Sequence, residues 1–257
     1  MSTRKITLSS FLFGFLTVVA IALFLALGVW QVQRLAWKTG LIARVNARVA
    51  APAVQAPRLA DWPRVNKADD EYRHVTLRGR LMNADEAQVY TLSDYGAGYW
   101  VMTPLKRDDG SIVYINRGFV PMDKRTPATR PEAQADGEVA ISGLLRMPES
   151  KGWFLQQAND PAHDAWYRRD IAAIAQSRHI GAVAPYFVDA DATPNPGGWP
   201  KGGLTVVKFP NSHLMYAITW FSMALGLAEK IAFGSHHVFS LIGERLFGGV
   251  GEAFAFE

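Results

Sequence analysis

Apolar residues gather at the two ends of the chain, and shorter alternating patterns fill the middle. Phe11 to Trp30 is a run of 20 residues without a charge. At ~1.5 Å per residue such a helix reaches ~30 Å, the thickness of a bilayer's hydrocarbon core. A second apolar segment begins at His213 or Leu214, and Leu214 to Ala228 is uncharged. Alone it is about 22 Å long as a helix, short of a full crossing. Extension through Phe233 gives the length but takes in Glu229 and Lys230. A lysine near a helix end can reach the headgroups, whereas a glutamate is harder to place. The pattern predicts two transmembrane helices, 11–33 and 213–233. For the first, the competing reading is a signal peptide cleaved near Ala26 or Gly28, against which its length argues. For the second it is a helix lying in the interface.

Between these segments the period changes to two. Val75, Leu77, Gly79 and Leu81 alternate, as do Val101, Thr103 and Leu105, then Val139, Ile141, Gly143 and Leu145, and finally Thr205, Val207 and Phe209. Ile112 to Ile115 is apolar at every position, as in a strand buried on both faces. Asp109-Gly110 between two such runs predicts a hairpin. One helix is expected over Ala165 to Arg178, ending before Gly181 and carrying Trp166, Ile171 and Ile174 on one face. Ala50 to Pro63 reads as a linker, and Thr193 to Gly203, with three prolines and four glycines, as a surface loop. The fold class expected is a membrane protein with two transmembrane helices and a mainly antiparallel β domain, barrel- or sandwich-like, with one or two helices. The expected division is an amino-terminal segment 1–10, a first span 11–33, a soluble domain 34–212, a second span 213–233 and a tail 234–257.

Charge and composition narrow the chemistry. The chain has 257 residues, a net charge of +4 and no cysteine. The absence of cysteine excludes disulfides, thiolate metal sites, iron–sulfur ligation and cysteine nucleophiles. Basic residues are scattered among acids, without the dense block that marks nucleic-acid binding. G-x-S-x-G, H-E-x-x-H, G-x-x-x-x-G-K and G-x-G-x-x-G are all missing, and no carboxylate pair stands out, so an enzyme here would need an unfamiliar site. The ten residues before the apolar run, with Arg4 and Lys5, are too few for an organelle transit peptide and favour a bacterial plasma membrane. Arg34, Lys38, Arg44 and Arg48 follow the first span, so local charge counting does not settle the orientation of a long domain.

Of the six histidines, His213 is the informative one. With Tyr216, Ala217 and Trp220 it falls at i, i+3, i+4 and i+7 of the second span, one helix face. A ring-flanked imidazole at the mouth of a membrane helix suits an axial ligand for a lipophilic haem. Equally, histidine, tyrosine and tryptophan form an interfacial belt for no other reason than their amphipathic rings. His236-His237 reads as a solvated pair, and His74, His163 and His179 as surface or capping residues. Gln31, Arg34 and Lys38 form a stripe suited to headgroup contact, with Trp30 and Trp37 as anchors.

Four strings, in order, carry a resemblance. They are Gly28-x-Trp30-Gln31-x-x-Arg34-x-x-Trp37-Lys38; Tyr72-Arg73-x-Val75; Thr103-Pro104-Leu105 with Asp109-Gly110 and Asn116-Arg117-Gly118-Phe119-Val120-Pro121; and His213-Leu214-x-Tyr216-Ala217-x-Thr219-Trp220-Phe221. Over about residues 28–228 the chain resembles the Surfeit locus family of cytochrome c oxidase assembly proteins. The resemblance implies a non-catalytic, two-pass protein of the bacterial inner membrane with a periplasmic domain. Its implied partners are the oxidase catalytic subunit, other assembly factors and the lipid bilayer, with no nucleic acid. It also implies haem a as cofactor, with His213 as the iron ligand; in the hypothesis built on it, Tyr216 and Trp220 pack against the macrocycle. The alternatives are a haem-independent scaffold, with Arg117 and the Tyr95–Tyr99 loop as contacts, and a periplasmic enzyme. Ser212 and Phe119 depart from the family's usual asparagine and tryptophan, and the tail from Glu229 does not resemble it.

Overall fold

The computed structural model describes residues 8–134, 136–149, 157–205, 207 and 209–247. The chain divides into two compact units, Arg44–Lys208 and the pair of terminal segments Met1–Ala43 with Phe209–Glu257.

In the terminal unit, α1 (Leu8–Ala50) and α4 (His213–Phe247) are long helices. Among the described residues, one helix, Phe11–Ala50, is long and apolar enough to cross a membrane. Phe11, Phe13, Leu16, Val18 and Leu23 all project outward, an apolar surface that water would penalise.

The central unit is built on one mixed sheet. Its strands are β1 (Val54–Gln55), β2 (His74–Leu81), β3 (Ala87–Ser93), β4 (Gly96–Lys106), β5 (Ile112–Pro121), β6 (Glu138–Arg146) and β7 (Val183–Ala190). Two short helices, α2 (Lys67–Asp70) and α3 (Ile171–Ser177), accompany them. The order is β1-β2-β6-β7-β5-β4-β3, and a short pairing of Arg80 and Leu81 with Lys106 and Leu105 also joins β2 to β4. The β1–β2 and β5–β7 pairings are parallel and the other five antiparallel, so the sheet is mixed but mainly antiparallel, as the alternation predicts. A parallel β5–β7 pair needs a crossover, and the chain supplies it through β6 and α3.

The burial follows the pattern. In β2, Val75, Leu77 and Leu81 turn inward while Arg78 and Arg80 turn out. Gly79 lies where β4 passes so close that a Cβ would sit 2.4 Å from the Lys106 carbonyl oxygen. β5 is buried on both faces, as its unbroken apolar run predicts: Val113 and Ile115 pack with Val75, Leu77 and Val188. Tyr114 faces the other way, against Trp166, Ile171, Ile174 and Phe187. The Asp108–Gly110 turn joins β4 to β5, with Gly110 at φ +78°.

Two expectations are corrected. The helix expected over 165–178 spans only Ile171–Ser177, because Asp170 caps its start by accepting from the Ala173 N–H (3.2 Å). Trp166 lies outside it, bridged to Val89 beside β3. Thr205, Val207 and Phe209 are not in a strand, and Val206 and Lys208 lie outside the described residues. The Thr205 hydroxyl instead donates to Asp189 (2.9 Å).

Candidate functional site

Within the terminal unit, one face of α1 is recessed: Ala20, Ile21, Phe24, Gly28 and Gln31, on spacings of one, three and four, are less exposed than their neighbours. In α4 the recessed positions are His213, Ala217, Trp220, Phe221 and Ala224. The two stripes meet with the helices antiparallel. Gln31 bonds to His213, Phe24 lies 5.6 Å from Trp220 between ring centroids at 31°, and the Phe221 ring covers Gly28. A Cβ on Gly28 would come within 2.5 Å of that ring, so a larger residue would have to push the Phe221 ring aside. Ala217 and Ala224, both buried, are the small residues of the seam on α4.

His213 opens α4. The Ser212 carbonyl accepts the first helical hydrogen bond, from Tyr216 N–H at 3.2 Å, so His213 is the first residue inside the helix. Its imidazole is half-buried, and Nδ1 is 2.7 Å from Gln31 Oε1. Among the described residues Nε2 has no partner. The Trp220 indole N–H is buried and also lacks an acceptor among the described residues. Tyr216 points outward, about half exposed. The expected triad is thus split: His213 and Trp220 lie on the helix seam and Tyr216 stands on the outer flank. The seam is closed by Phe221 against Gly28. A nitrogen donor with its other nitrogen already engaged and an exposed ring one turn on are the groups here that suit a haem-type macrocycle, and the buried Trp220 indole is not one of them.

Gln31, placed by the sequence pattern in a headgroup-facing stripe with Arg34 and Lys38, is a buried seam residue instead. Arg34 stacks over Trp37 at 4.5 Å. The signal for Gln31 lies in its position three residues after Gly28 and seven after Phe24, on the recessed face.

The central unit holds a second polar centre that the sequence does not single out. Asp189, almost fully buried in β7, accepts from Asn116 (2.8 Å), Arg146 (3.0 Å), Arg169 (3.2 Å) and Thr205 (2.9 Å). Glu149 pairs with Arg169, and Glu71 lies 3.6 Å from Arg146. Burial pushes the Glu149 carboxyl up, but the hydrogen bond and charge of Arg169 outweigh it and leave the group below the usual glutamate range. Burial works against the Arg169 charge, and Asp189 and Glu149 more than compensate. A cavity of about 210 Å³ opens beside this network, lined also by Trp100 and Leu204. Three carboxylates there share two arginines, each lying within ion-pair reach of at least one, and the network ties β5, β6 and β7 together.

The remaining residues of interest also have structural roles. Arg117 donates to the Ala133 carbonyl (2.5 Å) and to Asn195 Oδ1 (3.2 Å), and Gly118 takes φ +123° against Lys201, whose carbonyl leaves no room for a Cβ. His74 bridges Ala51 O and Ser142 Oγ, and His163 pairs with Asp160. His179 adopts a left-handed φ of 54° just past α3. The side chains of His236 and His237 lie outside the described residues. Among the described residues, no group of three or more histidines and carboxylates gathers as metal ligands.

Comparison of the sequence with known proteins points to one family. The model of the SURF1 family matches residues 18–225, from within α1 to within α4. Surfeit locus protein 1 of Rattus norvegicus is 36% identical over 230 residues, covering 83% of this chain and 72% of that protein. The protein of that name from Homo sapiens is 34% identical over 240 residues, covering 87% and 77%. A SURF1-like protein of Drosophila melanogaster is 33% identical over 220 residues, covering 77% and 69%.

Proposed function

The chain belongs to the SURF1 family, and from that premise we propose that it is a non-catalytic assembly factor for a haem–copper cytochrome c oxidase. In this reading α1 and α4 both cross the bacterial inner membrane, the sheet domain closes as a small barrel on the periplasmic side, and haem a binds at His213 on its way to the catalytic subunit. The observation that carries the reading is the family match itself, which reaches into both helices and takes in the intervening domain and His213.

Haem a, when bound, would supply an iron that takes an imidazole nitrogen as ligand, and His213 would be the residue to hold it. The chain's part is to hold that nitrogen ready. His213 would offer Nε2 and Tyr216 an exposed ring one turn on, while Trp220, buried in the seam against Phe24, would hold the helices together behind them. Lipid hydrocarbon gives helices no hydrophobic reason to associate, so the close contact at Gly28, Ala217 and Ala224 must position His213 by packing.

Purification in detergent from cells that make haem a, followed by an optical spectrum and pigment extraction, tests the reading. Co-purified haem a that is lost in His213→Ala is the expected result. Unchanged stoichiometry and spectrum in that variant would remove the ligand role.

A second reading is favoured by one observation. The β3–β4 hairpin ends in Leu92 and Tyr95, exposed at 73% and 50%, with Lys201 lying over the Tyr95 ring at 4.6 Å. An apolar tip of this kind suits a haem-independent scaffold gripping an assembly intermediate. Capture of the oxidase catalytic subunit by haem-free protein, lost in a Leu92→Asp, Tyr95→Asp double variant, would support it.

A further inference from the structure

We infer that Gln31 is a positioning residue: it holds His213 in the Nδ1–H tautomer, so that Nε2 is presented as the ligand atom. The inference rests on the proposed role of His213 and adds to it the group that prepares that side chain.

A neutral imidazole has one N–H and one lone pair, and which nitrogen carries the proton is set by the partner of the other. The atom facing His213 Nδ1, at 2.7 Å, is the amide oxygen of Gln31, which can only accept. Nδ1 must therefore donate. The proton it holds leaves Nε2 with its lone pair, and that nitrogen has no competing partner among the described residues. An isolated histidine side chain favours the opposite tautomer, with the proton on Nε2, in which the exposed nitrogen would be a donor and no ligand at all.

The surroundings make this contact firm. Gln31 is buried at 8% relative exposure, one helical turn from Gly28, where the Phe221 ring seats against the α1 backbone. That packing fixes the separation of the two helices at the level of the amide. The bond is part-buried and its amide side buried, so breaking it leaves the Gln31 amide in the seam without its partner, which is costly. The pair is 182 residues apart in sequence, so the bond also ties the first residue of α4 to α1. Second-shell partners of this kind orient an imidazole and raise its basicity, and their loss costs about 10- to 100-fold in metal affinity.

The test uses the full chain in detergent, with histidine labelled by nitrogen-15 and no haem present. Two-bond nitrogen–proton correlations report the tautomer of His213, assigned by the signal missing in His213→Ala. Wild type is expected to show Nδ1–H. Gln31→Met, similar in shape but without the acceptor, is expected to move the signal to Nε2–H and to weaken haem a binding, measured by optical titration, about 10- to 100-fold. Gln31→Glu restores an acceptor and is expected to keep Nδ1–H and binding within a few-fold of wild type. An Nε2–H signal in wild type, or a tautomer unmoved in Gln31→Met, overturns the inference. So does a shifted tautomer with unchanged haem affinity. If Gln31→Met does not fold, the glutamate variant decides: loss of Nδ1–H there overturns the inference as well. Should wild type and Gln31→Met differ in tautomer as expected while neither binds haem, the positioning of His213 stands and the haem reading fails.

Discussion

Replacing Asp189 by alanine is expected to destabilise the sheet domain by about 3–5 kcal/mol, the usual cost of removing one partner from a buried ion pair. The carboxylate is 3% exposed, and the two arginines it receives are only 15% and 12% exposed. Its removal leaves Arg146 and Arg169 held toward each other, while Asn116 and Thr205 lose an acceptor. Glu71 and Glu149 remain as one carboxylate for each arginine, which keeps the loss within that range. The shift in the folding equilibrium is about two to four powers of ten. Asp189→Asn, which keeps an oxygen acceptor but no charge, is expected to cost less, roughly 2 kcal/mol. The assay is urea unfolding of the full chain in detergent, followed by tryptophan fluorescence, with Trp100 lining the adjacent cavity. A double variant with Arg169→Met should be less destabilised than the two single losses combined, by roughly 0.5–3 kcal/mol. An Asp189→Ala protein within about 0.5 kcal/mol of wild type, in the range of an ordinary surface change, would refute the reasoning.

Other expectations follow from single contacts. Glu149 has a lowered folded-state pKa, so its contribution is complete above the usual glutamate value and is lost as the pH falls through the lower folded value; Glu149→Gln should flatten that acid limb of stability measured by unfolding at stepped pH. Tyr186 is pushed up to about 12 by burial and donates to Pro57 O at 2.6 Å. Its contribution is complete below the unfolded tyrosine value near 10 and is lost as the pH rises through about 12, so Tyr186→Phe should cost about 1 kcal/mol at neutral pH and remove that alkaline loss. Gly118→Ala must open the Phe119–Lys201 hydrogen-bond pair and strain a φ of +123°, a loss of about 3 kcal/mol visible as a lowered Tm by circular dichroism; an unchanged Tm would contradict the geometry.

How much of this was legible depended on how local the cause was. The inward set of β2 and the double burial of β5 come from side-chain alternation along a single strand, and the Asp-Gly turn from backbone freedom at one residue. β3 was hidden because Gln88, Tyr90 and Thr91 break its apolar period, and β7 because Pro185 interrupts a run that is otherwise buried. The alternation from Thr205 misled for the opposite reason, since a period-two pattern makes a strand only where another edge accepts it. Trp166 fits a helical spacing with Ile171 and Ile174, yet Asp170 caps the helix after it.

The candidate site divides in the same way. His213 was visible because an imidazole opening an apolar helix is unusual on composition alone, and Tyr216 and Trp220 follow by spacing. Gln31 was placed in a polar stripe because nothing near it in sequence tells that its partner lies 182 residues away. Asp189 was equally hidden: its four donors come from β5, from β6, and from the segments before α3 and after β7. Phe221 gives no sign of its role until Gly28 is set against it.

The claim on which the functional account depends most is that α4 enters the bilayer and so brings His213 to the lipid boundary. Because the chain has no cysteine, single cysteines can be placed along 214–228 in intact cells and tested with a membrane-impermeant thiol reagent. Protection at Ile218 and Leu225, with labelling returning only near the helix mouth, is the predicted result. Uniform labelling across the whole stretch would contradict it.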